Sequence, residues 1–422
     1  MGDRERRRAG FIPARFVAVL LLAAAAAGAL RPAEAVPPGM PRKPAHIVRV
    51  LLRQNRFGAR CLDGSPPGYY IRRGYGEGRR RWIVYLQGGG WCHNMAQCAQ
   101  RASTVLGSSK FWRAPSDPGF QASLEKYGST FTGILSRNAS ENPSYHNWHV
   151  VTVFYCDGGG FSGTAGAVRV NSSFSLHFDG ARILDAVLDD LKLRWGMRTA
   201  RRVLFTGCSA GGQAVSNACD IVADQLPWAD VKCLMDGGFF LGEGFFLDGS
   251  DVTGQMYFRT LAKRMTELHH SIMDPDCKNA NPRSPWRCFF PQFNLFYISR
   301  PLFIVNSVAD YAAIEIANRG QNQSSTTNIF SCLDKVYDSE PTIPADLTRA
   351  KSRCTPQELA AIQVYSKRVL TRINAVLRQR KQFGSFIMGS LAHCTTIYPS
   401  WSLIRRKKEY LRDAIDQWYM QY

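Results

Sequence analysis

The sequence predicts an α/β fold, in which a mainly parallel central sheet is flanked by helices and carries insertions braced by disulfides. Three observations predict it. Short apolar runs of β-forming residues alternate with segments of helical spacing, a pattern typical of parallel sheets covered on both faces. One apolar run ends in a Gly-x-Ser-x-Gly motif, and twelve cysteines are spread along the 422 residues.

The first 35 residues have the order of a secretory signal peptide. Five arginines between positions 4 and 15 precede the uncharged stretch Phe16–Leu30, and Ala33-Glu34-Ala35 offers a cleavage site. The apolar run is short for a membrane span. We therefore expect cleavage near Ala35, a single domain over residues 36–422, and no stable membrane insertion afterwards; a retained signal anchor is the alternative.

The cysteine count agrees with export. An even number of cysteines in an exported chain indicates disulfides, whose pairing the sequence does not give. No Cys-x-x-Cys pair occurs, which argues against a zinc site. In an exported chain the three Asn-x-Ser sequons, at Asn138, Asn171 and Asn322, are candidate glycosylation sites.

The charge is strongly positive. The chain has 53 Lys and Arg against 33 Asp and Glu, a formal net charge of +20, and loss of residues 1–35 removes six arginines and three acids and leaves +17. Such an excess attracts polyanions. For an exported protein it favours an acidic polysaccharide or an anionic cell surface over nucleic acid; charge that only keeps the protein soluble is the alternative.

The pattern predicts strands at five central positions and a helix between the second and third of them. The strands are Trp82–Leu86, His149–Tyr155, Arg202–Thr206, Val231–Met235 and Leu302–Val305, the helix is Asp179–Trp195, and Phe386–Met388 is a further strand-like run. Ligands and catalytic groups collect at the carboxyl ends of such strands.

The motif Gly207-Cys208-Ser209-Ala210-Gly211-Gly212 lies between a predicted strand and a helix that begins near Gln213. At that junction it predicts a nucleophile elbow of the α/β-hydrolase type, with Ser209 as nucleophile and the N–H of Ala210 facing the oxyanion. An ordinary glycine-rich turn is the alternative. Among so many cysteines, Cys208 is expected in a disulfide that braces the elbow.

A serine nucleophile needs a base, because its hydroxyl is barely ionised at neutral pH. His393 lies in a loop of small residues after Phe386–Met388, where a late catalytic histidine belongs in this fold. A purely structural histidine is the alternative. The adjacent pair His269 and His270 lies in a polar region and is expected on the surface.

Two aspartates could orient the base. Asp310 follows the predicted strand Leu302–Val305, and Asp236 follows Val231–Met235 directly. The acid comes late in the chain order Ser, Asp or Glu, His, which favours Asp310. Asp236 could instead form the floor of the pocket with Phe239 and Phe240.

A second source of oxyanion donors is the glycine-rich loop after the first predicted strand. We assign Gly89 and Gly90 as backbone donors together with Ala210, and we expect Trp91 and Phe239 to contact substrate. A glycine turn without a catalytic role is the alternative.

Several blocks resemble the plant pectin acetylesterases, in order and over nearly the whole mature chain. They include Cys61-Leu62-Asp63-Gly64-Ser65-Pro66-Pro67-Gly68-Tyr69, Gly88-Gly89-Gly90-Trp91-Cys92, Tyr155-Cys156-Asp157-Gly158, the elbow motif and Cys288-Phe289-Phe290-Pro291-Gln292. The resemblance implies a Ser-Asp-His esterase that removes O-acetyl groups from pectin, with these roles on Ser209, Asp310 and His393. The wider family includes the animal carboxylesterase Notum, which removes a lipid from Wnt proteins.

The chain departs from the family pattern at four points near the site. Gln87 stands where Glu is usual before the glycines, and Tyr311 where Trp is common after Asp310. Gly237 replaces Ala in the block after Asp236, and Thr395 replaces Gln after Cys394. No candidate for the triad is lost, but the pocket wall and hence the preferred acyl group and sugar are open.

The sequence therefore predicts an extracellular, monomeric serine esterase whose partner is acetylated pectin or another acidic cell-wall polysaccharide, without nucleic acid. The serine-esterase chemistry implies no metal and no organic cofactor. Two other hypotheses remain. One is a Notum-like enzyme that removes a lipid acyl group from protein, which needs a deep apolar pocket. The other is a catalytically silent binder of acidic polysaccharide.

Overall fold

A computed structural model describes residues 46–126, 131–242, 253–318 and 354–422. These residues belong to one compact unit. The predicted signal peptide, residues 1–35, and the sequon at Asn322 lie outside the described residues, whereas Asn138 and Asn171 are exposed. None of the described helices is long and apolar enough to cross a membrane.

The described chain forms a mixed eight-stranded sheet in the order β1-β2-β4-β3-β7-β8-β9-β10, and two small two-stranded sheets, β5-β6 and β11-β12. The strand β2 pairs antiparallel with both β1 and β4, and the other neighbours are parallel. The strands are β1 (Val48–Leu51), β2 (Gly68–Arg72), β3 (Arg81–Leu86), β4 (His149–Val153), β5 (Gly166–Arg169), β6 (Ser175–Phe178), β7 (Arg202–Cys208), β8 (Asp230–Asp236), β9 (Leu302–Ser307), β10 (Gly384–Met388), β11 (Arg405–Arg406) and β12 (Glu409–Tyr410).

Helices cover both faces of this sheet. They are α1 (Met95–Ala102), α2 (Phe120–Lys126), α3 (Gly180–Arg194), α4 (Ala210–Asp224), α5 (Thr253–His269), α6 (Pro275–Ala280), α7 (Pro291–Asn294), α8 (Tyr311–Asn318), α9 (Pro356–Gln379) and α10 (Leu411–Gln421). Trp82, Val84 and Leu86 of β3 pack in the same core as α3, α4 and α9, whereas Ile83 and Tyr85 pack in a second core with α10. The central strands are thus buried on both sides, as their unbroken apolar runs require.

The predicted fold class is confirmed, and the predicted strands occur with ends shifted by two residues or fewer. The predicted helix after His149–Val153 is α3, and the residues at its helical spacing, such as Ile183, Val187 and Leu191, are buried. The antiparallel edge formed by β1 and β2 was not predicted.

Five disulfides join described cysteines: Cys61–Cys156, Cys92–Cys98, Cys208–Cys394, Cys219–Cys233 and Cys277–Cys288. Cys354 is also disulfide-bonded. The disulfide of Cys208 confirms the expected brace at the elbow, and its partner Cys394 directly follows His393. Residues 186 apart in sequence are held together there.

We expect the paired change Cys208→Ser with Cys394→Ser to lower the free energy of unfolding by about 2–5 kcal/mol, because a long loop of the unfolded chain is released. The turnover number kcat should fall too, since the disulfide holds the loop of His393. Urea unfolding and ester hydrolysis measure the two effects. Cys277→Ser with Cys288→Ser, a pair only 11 residues apart, is the control, and equal kcat values in the two double variants would contradict this role.

Candidate active site

The strand β7 and the helix α4 meet at Ser209 in a sharp turn. Ser209 has φ 59° and ψ −126°, a conformation that a non-glycine residue adopts only when its surroundings enforce it. A Cβ on Gly211 would lie 2.2 Å from the carbonyl oxygen of Leu86, so the turn has room only for glycine there. The N–H of Ser209 donates to the carbonyl oxygen of Asp236 (2.9 Å) and ties the turn to β8.

His393 and Asp310 form a hydrogen-bonded pair. Nδ1 of His393 lies 2.8 Å from Oδ2 of Asp310, whose side chain is almost fully buried. The other oxygen of Asp310, Oδ1, accepts the backbone N–H groups of Ala312 (3.0 Å) and Ala313 (3.1 Å) in the first turn of α8. One carboxylate oxygen is therefore fixed by the helix, and the other is presented to the imidazole.

The loop of His393 is fastened to the elbow in two ways. The disulfide Cys208–Cys394 joins the residue before Ser209 to the residue after His393, with their Cα atoms 5.3 Å apart. Asp236, at the end of β8, accepts hydrogen bonds from both the N–H (2.6 Å) and the hydroxyl (2.7 Å) of Thr396. The structure thus fastens the hydrogen-bonded pair His393 and Asp310 beside the turn of Ser209, at the carboxyl edge of the sheet.

The two aspartates that the sequence left open have different surroundings. Asp310 contacts the imidazole, while the carboxylate of Asp236 is used by Thr396 and weakly by Thr395 (3.4 Å). Burial raises the pKa of Asp236, and the hydrogen bonds from Thr396 oppose that rise. Asp236 therefore orients the histidine loop and does not hold the imidazole.

The charge of His393 is stabilised by its surroundings. Burial disfavours the imidazolium, but the charge and hydrogen bond of Asp310 outweigh burial and raise the pKa of His393 above its ordinary value. Asp236 and Glu315 act in the same direction from farther away. An imidazole in this position accepts a proton readily and holds it as an ion pair with Asp310.

Outer side chains fix the peptides of the loop that follows β3. The Nη1 of Arg101 donates to the carbonyl oxygen of Gly89 (2.8 Å), and the hydroxyl of Tyr155 donates to that of Gly90 (2.6 Å). In a trans peptide the N–H points away from the carbonyl, so the N–H groups of Gly90 and Trp91 face away from these two side chains. The orientation of these peptides could not be predicted from the sequence, because nothing in the motif shows which way a peptide faces.

A cavity of about 610 Å³ opens at Ser209. Its described wall is mixed. The polar side chains are His93, Gln97, Gln100, Arg101, Thr104 and Glu315, and the larger apolar ones are Trp91, Leu106, Leu261 and Ile316. Gly89, Gly90 and Trp91 lie on this wall as expected for a site loop. Phe239 is 1% exposed and does not line the cavity, so the structure places it in the core and gives no support for the expected substrate contact.

The expectation that His269 lies on the surface is wrong. Its Nε2 is 3.0 Å from the carbonyl oxygen of Cys92, its ring packs edge-on against Phe178, and burial lowers its pKa to about 4. The helix α5 ends at His269 and turns it inward, and only His270 is exposed.

Two described clusters have the spacing of metal ligands, Cys92, Cys98 and His269 in one and Cys208, His393 and Cys394 in the other. In both clusters the cysteines are joined in a disulfide, so no thiolate is offered to a metal.

The structure shows the surroundings of two residues that depart from the family pattern. Gln87 is buried, and its Oε1 accepts the N–H of Tyr155 (2.9 Å), so this amide joins the ends of β3 and β4. Tyr311 lies edge-on to the imidazole of His393, with ring centres 5.7 Å apart. The first change is structural, and the second alters the immediate surroundings of the histidine.

Known proteins share this architecture. Residues 42–422 match the family model described as Pectinacetylesterase. Pectin acetylesterase 5 of Arabidopsis thaliana is 32% identical over 383 residues, which are 89% of this chain and 81% of that protein. Pectin acetylesterase 11 of the same plant is 35% identical over 338 residues, 80% of this chain and 77% of that protein. A crystal structure of the Wnt deacylase Notum from Drosophila superposes with a TM-score of 0.69 at 22% identity, covering 89% of this chain and 93% of that one.

We expect kcat/KM to fall as the pH drops through the pKa of His393, which lies above the ordinary imidazole value of about 6.5. Asp310→Asn and Glu315→Gln both remove negative charge near the imidazole, so both should move this acid limb to lower pH. The shift should be larger for Asp310→Asn, which should also reduce kcat by about 10³-fold or more. Profiles of kcat/KM against pH measure the shift of the acid limb. Glu409→Gln, which removes a negative charge from the surface, is the control. An acid limb that stays in place in both variants would exclude His393 as the base.

Proposed function

The chain belongs to the pectinacetylesterase family of carboxylic ester hydrolases, and on that premise we propose that it is a secreted serine esterase that removes O-acetyl groups from cell-wall pectin. Ser209 is the nucleophile, His393 the base and Asp310 the orienting acid. The observation that carries the proposal is the 2.8 Å bond between His393 and Asp310, fastened beside the strained turn of Ser209. The working unit is a monomer of one domain over residues 36–422.

In the first step His393 accepts the proton of the Ser209 hydroxyl as its oxygen attacks the acetyl carbonyl. Asp310 holds Nδ1–H, so Nε2 is the nitrogen that takes the proton. The tetrahedral intermediate collapses, the bond from the carbonyl carbon to the sugar oxygen breaks, and the imidazolium returns the proton to that oxygen. In the second step His393 deprotonates water, which hydrolyses the acetyl-serine and restores Ser209.

Backbone N–H groups stabilise the oxyanion in both steps. Ala210 is the first residue of α4, and its N–H is one of those with no partner inside the helix. Gly90 and Trp91 supply the loop side, because the carbonyl oxygens of Gly89 and Gly90 are held from outside by Arg101 and Tyr155. Of the two glycines assigned from the sequence, Gly90 is the one that this orientation supports. One such donor is worth roughly 3–4 kcal/mol in the transition state.

The composition of the cavity favours a short acyl group on a hydroxyl-rich substrate. A long acyl chain gains its binding energy from apolar surface. The described wall presents amides, a guanidinium, an imidazole and a carboxylate beside a smaller apolar surface of Trp91, Leu106, Leu261 and Ile316. An acetyl group needs little apolar surface, and a sugar can hydrogen-bond with these side chains.

Export and glycosylation are consistent with the described residues. The disulfides Cys61–Cys156, Cys92–Cys98 and Cys219–Cys233 are of the kind that persists in an oxidising compartment. Asn138 and Asn171 are exposed, as glycan acceptors must be. We propose that residues 1–35 are removed as a signal peptide and that the protein acts in the cell wall.

We expect the purified secreted protein to release acetate from acetylated pectin, and Ser209→Ala to abolish the release while leaving the unfolding transition unchanged. Hydrolysis of 4-nitrophenyl esters of increasing chain length tests the acyl group. The acetyl ester should be hydrolysed fastest, because the described wall around Ser209 offers only a small apolar surface to a long acyl chain. Wild-type turnover in Ser209→Ala would overturn the assignment of Ser209 as the nucleophile. A marked preference for esters with long acyl chains would favour lipid-ester hydrolysis.

We expect Tyr155→Phe to lower kcat by about tenfold or more with little change in KM, because the carbonyl of Gly90 loses the hydroxyl that fixes its peptide. Tyr70→Phe is a matched control. Its hydroxyl is also buried and also donates to a backbone carbonyl, that of Arg113, away from Ser209. Both variants should lose about 1 kcal/mol of stability. If they had the same kcat, Tyr155 would have only a structural role.

A further inference from the structure

Arginines are concentrated at the edge of the sheet where β3 and β7 begin. Of the ten residues from Arg72 to Arg81, five are arginine and one, Glu77, is acidic. We call the arginine surface the set Arg73, Arg79, Arg80, Arg198, Arg201 and Arg202. Five of these residues are exposed and Arg202 is half-buried.

Backbone contacts make this surface continuous. The N–H of Arg201 donates to the carbonyl oxygen of Arg80 (2.7 Å), and Arg202 is the direct strand partner of Arg81. Arg73 packs its guanidinium 4.8 Å from the ring centre of Trp195, which precedes the short helix that contains Arg198. Two segments distant in sequence, residues 72–81 and 195–202, thus lie next to each other at this edge of the sheet.

The carboxylates beside the arginine surface are already paired. Glu77 lies 3.3 Å from Arg81, and Asp230 lies 3.5 Å from Lys232. Within the described residues no ion pair is formed by any member of the arginine surface, although like charges this close repel one another.

A buried arginine under the same edge adds to the positive potential. Arg72 is only 3% exposed, and its Nη2 has no hydrogen-bond partner in the described part of the chain. Burial and the nearby charge of Arg137 lower the pKa of Arg72 to about 10, so it remains a cation at neutral pH. A buried cation without a carboxylate costs stability, and an anion outside would offset that cost.

We propose that the arginine surface is a second binding site, separate from the ester-cleaving site, for the carboxylates of an acidic polysaccharide such as de-esterified polygalacturonate. Guanidinium groups bind carboxylates through paired hydrogen bonds, and the chain supplies several of them along one edge. The choice of polysaccharide rests on the proposed function.

The two sites are at opposite ends of the same strand. Ser209 directly follows the carboxyl end of β7, and Arg202 begins it; seven residues of strand span about 20 Å. An acidic segment held at the arginine surface therefore leaves the cavity at Ser209 open for an acetylated segment. The protein would stay attached to pectin through stretches that no longer carry esters.

The test is binding of Ser209→Ala protein to immobilised de-esterified polygalacturonate, which needs no hydrolysis. Adding Arg79→Gln, Arg80→Gln and Arg201→Gln should weaken binding by about tenfold or more at low salt, and wild-type binding should weaken as salt rises. Arg79→Lys with Arg80→Lys and Arg201→Lys keeps the charge and should retain most of the affinity. When each triple change is made in protein that retains Ser209, hydrolysis of 4-nitrophenyl acetate should stay unchanged.

A control with the same change in net charge is Arg405→Gln with Lys407→Gln and Lys408→Gln, on an exposed basic turn where Arg406 pairs with Glu409. Equal loss of binding in the two triple variants would overturn the arginine surface as the site. Binding that does not change with salt would do the same. Tighter binding to double-stranded DNA than to polygalacturonate in this assay would overturn the assignment to a polysaccharide. If the wild-type protein released no acetate from pectin but still bound polygalacturonate, only the proposed esterase function would be excluded.

Discussion

The site depends on one constraint, the attachment of the histidine loop to the elbow. Nothing in either segment alone holds His393 near Ser209, since they come from distant parts of the chain. The disulfide Cys208–Cys394 and the hydrogen bonds from Thr396 to Asp236 supply the attachment, and Asp236 also accepts the N–H of Ser209 through its carbonyl. One residue at the end of β8 thus anchors both partners, which lets a strained serine persist.

The same parallel sheet separates two electrostatic environments. At the carboxyl ends of the strands, Asp310, Asp236 and Glu315 surround one imidazole and favour its charged form. At the amino ends, arginines of β3 and β7 are neighbours because parallel pairing in register places Arg81 beside Arg202. Parallel pairing therefore determines both the meeting of the site residues and the accumulation of positive charge at the opposite edge.

The positions of the central strands along the chain could be predicted, because each depends on local pattern. Chain order favoured Asp310 over Asp236, and Asp310 is the aspartate whose carboxylate lies 2.8 Å from the imidazole of His393. The strand β2 was missed since it follows two prolines and pairs antiparallel, and its pairing with β4 is not local. His269 was misplaced because a polar neighbourhood in sequence says little about which side of a helix faces inward. Phe239 was expected at the substrate, yet it points into the core, and the directions of the Gly89 and Gly90 carbonyls depend on side chains far along the chain.

The charges on the cavity wall explain why a polyanion should bind at another place on the protein. Arg101 is the arginine on its described wall, and its guanidinium is already used by the carbonyl oxygens of Gly89 and Trp91. Burial and the neighbouring Arg264 lower the pKa of His93, so that imidazole is neutral at neutral pH, and Glu315 adds a negative charge. A uronate carboxylate gains little there, whereas five exposed arginines and the half-buried Arg202, none of them in an ion pair within the described residues, lie at the other end of β7. A chain whose net charge is +20 thus keeps its ester-cleaving site close to neutral and carries its excess where a polymer can reach it.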